Sequence, residues 1–386
     1  MSNILIFSSL LLPPSQTFIK AQAEGLQQFT SHYVGCRRVD GLSLPAERTS
    51  VINPGTSSGK LKELLFKLTG RSRTLRDILR KIDPVLIHAQ FGLSGALLLS
   101  SMRSLDIPLI VHYRGADATL DPEVVRFSSI NHWIYYQRLD QLKQTTHLFL
   151  TVSHFIRKKL IEQGFPDDKI MTHYNGVDIQ QFRADMNISR EPVVLFVGRL
   201  TEKKGCQDLL KAMAQVQMAH PGVRLILIGD GPLREGLEKF AEKHLKQCRF
   251  LGVQSHATVK DWMNRARVLA APSITSVQGD SEGLPNVVLE AQAMGLPVVS
   301  TFHAGIPEAV IHQQTGFLVE EHDSDNLGMY IAHLFQDDEL WQSFSRQGRL
   351  HVETNFDRQR QIQLLETLYE ETLEQYHGTT RSAVSL

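Results

Sequence analysis

The sequence predicts an α/β protein built from two doubly wound, Rossmann-like domains in tandem, and three observations predict it. Short apolar strands alternate with helical patterns twice over, before and after a polar stretch at residues 185–192; this is the rhythm of a parallel sheet with helices on both faces. At 386 residues the chain is longer than one core normally grows. Glycines and polar side chains gather just after the strands, where folds of this class bind ligands.

In the first half, residues 4–7 read as the opening strand, 12–17 as its exit loop and 18–28 as a helix. Pro84-Val-Leu-Ile-His88-Ala-Gln-Phe-Gly92 and Pro108-Leu-Ile-Val-His112-Tyr-Arg114-Gly115-Ala-Asp117 are two further strands with their loops, so His88 and His112 both fall at strand ends. Residues 146–153 add a strand and the helix after it runs to about 163; 168–178 form a strand and a turn. Residues 60–81 carry Lys60, Lys62, Lys67, Arg71, Arg73, Arg76, Arg80 and Lys81 against Glu63 and Asp77. Leu61, Leu64, Leu65 and Leu68 recur there at helical spacing, as do Leu75, Ile78, Leu79 and Ile82, which predicts two amphipathic helices with a basic face. Such a segment either rests on anionic membrane lipid or covers the sheet as an ordinary solvated helix pair.

The stretch 185–192 reads as a hinge, so the domains are expected at 1–185 and 186–359, with a last segment 360–386. Beyond the hinge come strands near 193–197, 225–228, 249–251, 268–271, 298–301 and 317–319, with helices between them. Residues 325–376 are helical in pattern, and 378–386 read as a frayed tail. No Gly-x-Gly-x-x-Gly follows a strand, which argues against a nicotinamide or flavin dehydrogenase.

Composition narrows the function classes. With 42% hydrophobic residues, 21% charged and a formal net charge of zero, the chain has no global attraction for nucleic acid, and an anionic partner must be met by a local patch. Cys36, Cys206 and Cys248 have no metal-like spacing and read as reduced, buried thiols of a cytoplasmic protein. The apolar run from Ile4 to Leu12 lacks a preceding basic residue and a small-x-small site, so it reads as a buried strand rather than a secretory leader. No run reaches the length of a membrane span.

The chemistry concentrates in Asp280-Ser-Glu282-Gly283-Leu284-Pro285-Asn286-Val-Val-Leu-Glu290. Pro285 suits the first turn of a helix, and Gly295-Leu-Pro297 ends it. Glu282 before the helix and Glu290 within it can share a face, while the N–H groups of Gly283 and Leu284 favour an anion such as phosphate. Taken alone, the pair reads equally well as a solvated helix face with a carboxylate favouring the helix dipole. Gly198-Arg199-Leu200-Thr-Glu-Lys203-Lys204-Gly205 places cations directly after a strand: Arg grips phosphate oxygens in a planar fork and Lys supplies a point charge, a pairing suited to a diphosphate. Gly229-Asp230-Gly231-Pro232 and His303-Ala-Gly305-Ile-Pro307-Glu308 are further strand-end glycine turns.

These stretches, with Thr315-Gly316-Phe-Leu-Val, resemble the retaining family-four glycosyltransferases of the GT-B architecture; Ser15-Gln16-Thr17-Phe18-Ile19 and His112-Tyr-Arg-Gly115-Ala-Asp117 resemble the branch that builds exopolysaccharides such as colanic acid. The resemblance implies two Rossmann-like domains facing a central cleft and a last helix, from about Arg360, crossing back to the first. It implies a UDP- or GDP-sugar donor held by the second domain and a lipid-linked or polysaccharide acceptor held by the first. Arg199 and Lys204 would bind the diphosphate and offset leaving-group charge. Glu290 would take the ribose hydroxyls, Glu282 with Gly283, Leu284 and Asn286 the sugar and phosphate, and His112 would reach the sugar. Ser15 and Gln16 stand where many relatives carry a glycine pair at the diphosphate. His112-Tyr-Arg-Gly115-Ala-Asp117 stretches the common His-Gly-x-Asp pattern, which weakens the assignment of Asp117. The resemblance implies front-face retention without a covalent nucleophile or a metal; Asp323-Ser-Asp325 reads as a helix cap instead. Lys204 and Glu290 are expected to be exposed, each removable with loss of transfer but little loss of stability. A GT-B-shaped epimerase or phosphorylase, or a non-catalytic sugar-nucleotide-binding assembly protein, are the alternatives.

Overall fold

A computed structural model describes residues 1–102, 105–185 and 187–384, with side chains as far as residue 378. Contacts divide the chain into two units: Met1–Asn175 together with Gln359–Leu386, and Gly176–Arg358. Both are doubly wound, as the alternating pattern predicts.

The first unit holds a seven-stranded parallel sheet of β1 (Ser2–Leu11), β2 (Phe29–Arg38), β3 (Thr49–Asn53), β4 (Leu86–Gln90), β5 (Leu109–Tyr113), β6 (Leu148–Thr151) and β7 (Ile170–Thr172), in the order β3-β2-β1-β4-β5-β6-β7. Because side chains alternate across a strand, the continuous apolar run of β1 fills two cores. Leu5 and Phe7 join one with Val34, Ile87 and Val111. Ile4 and Ile6 join the other with Tyr33, Leu86, Ile110 and Leu150. β2 and β3 were not legible in the sequence. β2 interleaves Thr30, Ser31, His32 and Gly35 with its apolar residues, and β3 is a five-residue edge strand, so neither shows a continuous apolar run.

The second core of this unit is closed by the helix Arg358–Val384, whose Ile362, Leu365, Leu368 and Tyr369 pack on it. Glu366 fastens the helix by accepting from the backbone N–H groups of Gln27 and Gln28, both at 2.7 Å. The helix runs through Gly378 to Val384 instead of fraying, because an established helix propagates across one glycine at a cost of about 1 kcal/mol. The last two residues of the expected tail, 385 and 386, lie outside the described residues.

The second unit holds β8 (Val193–Val197), β9 (Arg224–Ile228), β10 (Cys248–Phe250), β11 (Val268–Ala271), β12 (Val298–Thr301) and β13 (Gly316–Val319) in the parallel order β10-β9-β8-β11-β12-β13. Its beginning departs from the expected 185/186 boundary, since the chain divides after Asn175. The reason is polar. Arg349 donates to the carbonyls of Phe182 (2.7 Å) and Ile179 (2.9 Å), Asp185 N–H to Asn264 Oδ1 (3.0 Å), and Arg190 to the carbonyls of Ala266 (3.0 Å) and Met294 (2.7 Å). The expected hinge is thereby fastened to the second unit; Met186 within it lies outside the described residues. The three thiols are free, and burial pushes each of them up to about 12, which leaves them unreactive at neutral pH.

Both helices in 60–81 pack on the sheet, but only the second does so through its leucine row; the first reaches the core through Phe66, which meets the Phe7 ring at 6.3 Å. Arg73–Ile82 buries Leu75, Leu79 and Ile82. Ser57–Thr69 buries Gly59, Glu63 and Phe66 and leaves Leu61, Leu64, Leu65 and Leu68 between 44% and 58% exposed. Glu63 is drawn inward because Lys67 Nζ meets it at 2.9 Å and Asn53 Nδ2 donates to it at 2.8 Å.

Replacing Glu366 with Ala should lower the unfolding free energy by about 1–2 kcal/mol, since two backbone donors lose a charged acceptor. An unchanged denaturation midpoint would show that this contact contributes nothing to docking of the helix.

Candidate active site

In the second unit the site begins where β8 ends. Gly198-Arg199-Leu200-Thr-Glu-Lys203-Lys204-Gly205 turns back over the sheet, anchored by fully buried Leu200. Gly205 takes φ +62°, and a Cβ there would stand 1.7 Å from the Pro272 carbonyl oxygen, so only glycine admits this approach. The turn delivers two lysines to the loop that follows β11. Lys203 Nζ donates to Asp280 Oδ1 at 2.9 Å, and Lys204 Nζ lies 2.8 Å from Glu282 Oε1. The Ile274 N–H donates to the Lys203 carbonyl at 2.9 Å, sewing the two loops together along the backbone. Arg199 is exposed and has no ion-pair partner among the described residues.

Glu282 is held from both sides. Burial alone would push its carboxyl up, but Lys204 and Lys203 outweigh it and keep the group ionised below the usual carboxylate range. Its N–H donates to His303 Nε2 at 3.1 Å, which places the imidazole proton on Nδ1, 2.6 Å from Glu321 Oε1. Glu321 accepts in turn from Thr275 N–H at 2.8 Å. His303 was visible in the sequence only as part of a glycine turn; its position at the exit of β12 was the signal for a role.

After Glu282 the chain leaves the N–H groups of Gly283 and Leu284 without partners among the described residues. Pro285 is the extended N-cap, not the first helical residue, and Asn286 opens the helix Asn286–Ala293. Glu290, inside the helix, is half-buried with no ion pair or side-chain hydrogen bond among the described residues. Desolvation pushes its carboxyl up to about 7. Two carboxyl groups eight positions apart are thus driven in opposite directions, one by cations and one by their absence. The expectation that Lys204 stands exposed is corrected: its side chain is 18% exposed because it is drawn onto Glu282. Asp323 accepts from Asn326 N–H at 3.0 Å and caps the helix Ser324–Gln336, as its position suggested.

In the first unit, His88, His112 and His173 meet in a buried polar cluster. The rings of His88 and His112 stack at 5.4 Å, and His173 meets His112 edge-on at 5.5 Å. Arg114, buried beside them, donates to Gln90 Oε1 (2.8 Å), Gln22 Oε1 (3.1 Å), Asn175 Oδ1 and His112 Nδ1 (3.1 Å). A guanidinium only donates, so His112 Nδ1 accepts and the proton sits on Nε2, which has no partner among the described residues. Burial and the Arg114 charge hold His112 well below the usual imidazole range, hence neutral. Burial also pushes Arg114 down to about 9.

Sequence reasoning missed Arg114 and His173 as members of this cluster; both follow the ends of strands, β5 and β7, which was the available signal. The Asp117 carboxylate accepts from the N–H groups of Gly92, Arg114 and Gly115, which holds the turn after β5. Ser15 is exposed after β1, and Gln16 lines a cavity of about 350 Å³ with Phe91, Asn131 and Tyr135.

The glycosyl transferases group 1 family matches residues 178–351, and Glycosyltransferase Family 4 matches residues 16–181. The chain is 31% identical to the amylovoran biosynthesis glycosyltransferase AmsK of Erwinia amylovora over 72% of its own length and 67% of that protein. It is 32% identical to WcaL of Escherichia coli, a protein named for colanic acid biosynthesis, over 70% of its own length and 66% of that protein. The chain therefore spans about two thirds of the length of these relatives. The fold matches that of HepE of Anabaena, solved in complex with UDP, with a TM-score of 0.78 at 20% identity, covering 96% of this chain and 100% of that one.

Removing the Lys204 charge as Lys204→Met should cost about 3 kcal/mol at pH 7, because a buried carboxylate loses its nearest cation. The sign follows from Glu282. In the unmodified protein its lowered value contributes stability above the ordinary carboxylate range, and that contribution is lost as pH falls through the lowered value. The deficit of the variant should therefore hold near pH 7 and shrink only as pH falls below the ordinary carboxylate range, towards pH 3. Denaturation midpoints showing an equal deficit at pH 7 and pH 3 would refute the coupling.

Proposed function

From the fact that the chain belongs to the group 1 and family 4 glycosyltransferases, we propose that it transfers a sugar from a nucleoside-diphosphate donor to a saccharide-bearing acceptor in the assembly of a cell-surface polysaccharide. The single observation carrying this reading is the set of groups joined by the Lys204–Glu282 contact. Two cations after β8, Arg199 and Lys204, accompany N–H groups at Gly283 and Leu284 and a carboxyl at Glu290 that have no partner among the described residues. That is the equipment for a diphosphate, a sugar and a ribose. UDP and GDP are the proposed bases, UDP being supported by the HepE complex.

In the proposed reaction the donor C1–O bond to phosphate breaks and a C1–O bond to the acceptor hydroxyl forms on the same face, so configuration is retained. The hydroxyl proton passes to the departing phosphate oxygen. Arg199 and Lys204 offset the charge growing on that diphosphate, the kind of fixed electrostatic stabilisation that contributes most where charge develops. No divalent ion is assigned to this role. Glu282, already committed to Lys204, accepts from sugar hydroxyls rather than attacking C1. Asn286, at the helix start, completes the phosphate contacts. His112, neutral with its proton on Nε2, donates to a substrate hydroxyl.

Peripheral attachment at the cytoplasmic face of the membrane is part of the proposal. Among the described residues no helix is long and apolar enough to cross a membrane. The helix Ser57–Thr69 instead turns a leucine row outward between Lys60, Lys62 and Arg71, which supports an interfacial position and a lipid-linked acceptor.

Thermal shifts with UDP, GDP, ADP and dTDP and their sugars, with and without EDTA, test the donor site. Selective stabilisation by one nucleotide that survives EDTA is expected; no stabilisation by any would overturn the reading, and nucleotide release without transfer would favour an epimerase or phosphorylase. Because ribose hydroxyls prefer an ionised Glu290, nucleotide affinity should fall roughly tenfold from pH 7.5 to pH 6 as the carboxyl protonates. In Glu290→Gln that dependence should flatten. A pH profile identical in both proteins would remove Glu290 from the ribose.

A further inference from the structure

The carboxyl ends of β2 and β3 and the start of the helix Ser57–Thr69 enclose a cavity of about 740 Å³ that the donor chemistry does not use. Four cations line it, Arg37, Arg38, Lys60 and Lys67, against one carboxylate, Glu63. Glu63 is already occupied by Lys67 at 2.9 Å and, more loosely, by Arg37 at 3.9 Å. Arg38 and Lys60 are exposed and have no ion-pair partner among the described residues. The thirteen-residue helix begins beside the cavity, where its first N–H groups add positive potential.

The apolar part of the lining differs. Leu64 and Ile130 line the same cavity and are 45% and 50% exposed. They belong to a larger apolar surface: Leu61, Leu65 and Leu68 on one side, Phe127 (77% exposed) and Trp133 (42%) on the other. An amphipathic helix that buries a glutamate and exposes four leucines reverses the ordinary arrangement, so another apolar phase is needed to cover it. A cationic hollow opening onto an apolar surface is complementary to a molecule with an anionic head and an apolar tail.

We propose that this cavity binds the phosphate head of an anionic phospholipid, with Arg38 and Lys60 as its principal ligands and the leucine row entering the acyl layer. The inference rests on the peripheral-membrane reading and deepens it, since it predicts a saturable site rather than a diffuse charge attraction. The two make different demands. In a diffuse field, cations at similar height count about equally; in a site, the two that line the cavity count most.

Full-length protein would be titrated with vesicles of phosphatidylcholine alone and with 30% phosphatidylglycerol, as wild type, as Arg38→Gln/Lys60→Gln, and as Lys62→Gln/Arg71→Gln. All four side chains are exposed, and unchanged melting would confirm folding. The cavity pair should lose at least tenfold more affinity for the anionic vesicles than the outer pair. Equal losses would overturn the site and leave the membrane reading standing; failure of the wild type to bind either vesicle would overturn both. Monomeric dihexanoyl phosphatidylglycerol should bind the wild type with a stoichiometry of one, and not bind the cavity variant. Inorganic phosphate at the same concentration should not displace it; if it does, the site takes free phosphate and the lipid assignment falls.

Discussion

The contact on which the second unit's chemistry depends is the one between Lys204 and Glu282. It joins the loop after β8 to the loop after β11, and those loops carry nearly every group assigned to the donor. The pair is poorly hydrated, so each charge needs the other, and neither loop can drift without exposing an unpaired ion to a low-dielectric surrounding. Backbone contacts make the same connection less costly to hold: Lys203 O accepts from Ile274, and Gly205 lets the turn lie against Pro272. The two loops are thus held in place by the protein's own contacts, before any ligand is bound.

Around that contact the protein keeps its carboxyl groups in different states. Glu282 is ionised because cations surround it; Glu290, without any, is pushed up to about 7. A permanently charged acceptor and a carboxyl that titrates near neutral pH are suited to different ligand parts. The first unit solves a similar problem with neutral rings. Arg114 spreads its donors over two glutamines, an asparagine and His112, and so fixes one imidazole tautomer without an ion-pair contact to any carboxylate among the described residues.

How much of this was legible follows from the range of each signal. In the second unit β8, β9, β11, β12 and β13 are largely buried and announce themselves as apolar runs; β2 and β3, mixed with polar residues or short at an edge, do not. The helix Ser57–Thr69 misled in direction, because periodicity shows that one face is apolar but not which way it points. There Lys67 and Asn53 drew Glu63 inward and turned the leucines to solvent. The boundary at 185/186 was displaced for a similar reason: a polar linker looks the same whether it swings freely or is bound by Arg190 and Arg349 to carbonyls far along the chain.

By itself the sequence determined the doubly wound class, the order of its apolar strands and the residue types proposed for the donor, because these are written in local spacing: apolar period, glycine turns and cations directly after strands; the family was legible as a resemblance of whole motifs. Tertiary structure alone decided which charges became partners. Pairing Lys204 with Glu282, Glu282 N–H with His303, and Arg114 with Gln22 required segments distant in sequence to lie side by side. Protonation followed from those neighbours, since a carboxyl's state depends on the burial and charges within a few ångströms of it, and these come from distant parts of the chain.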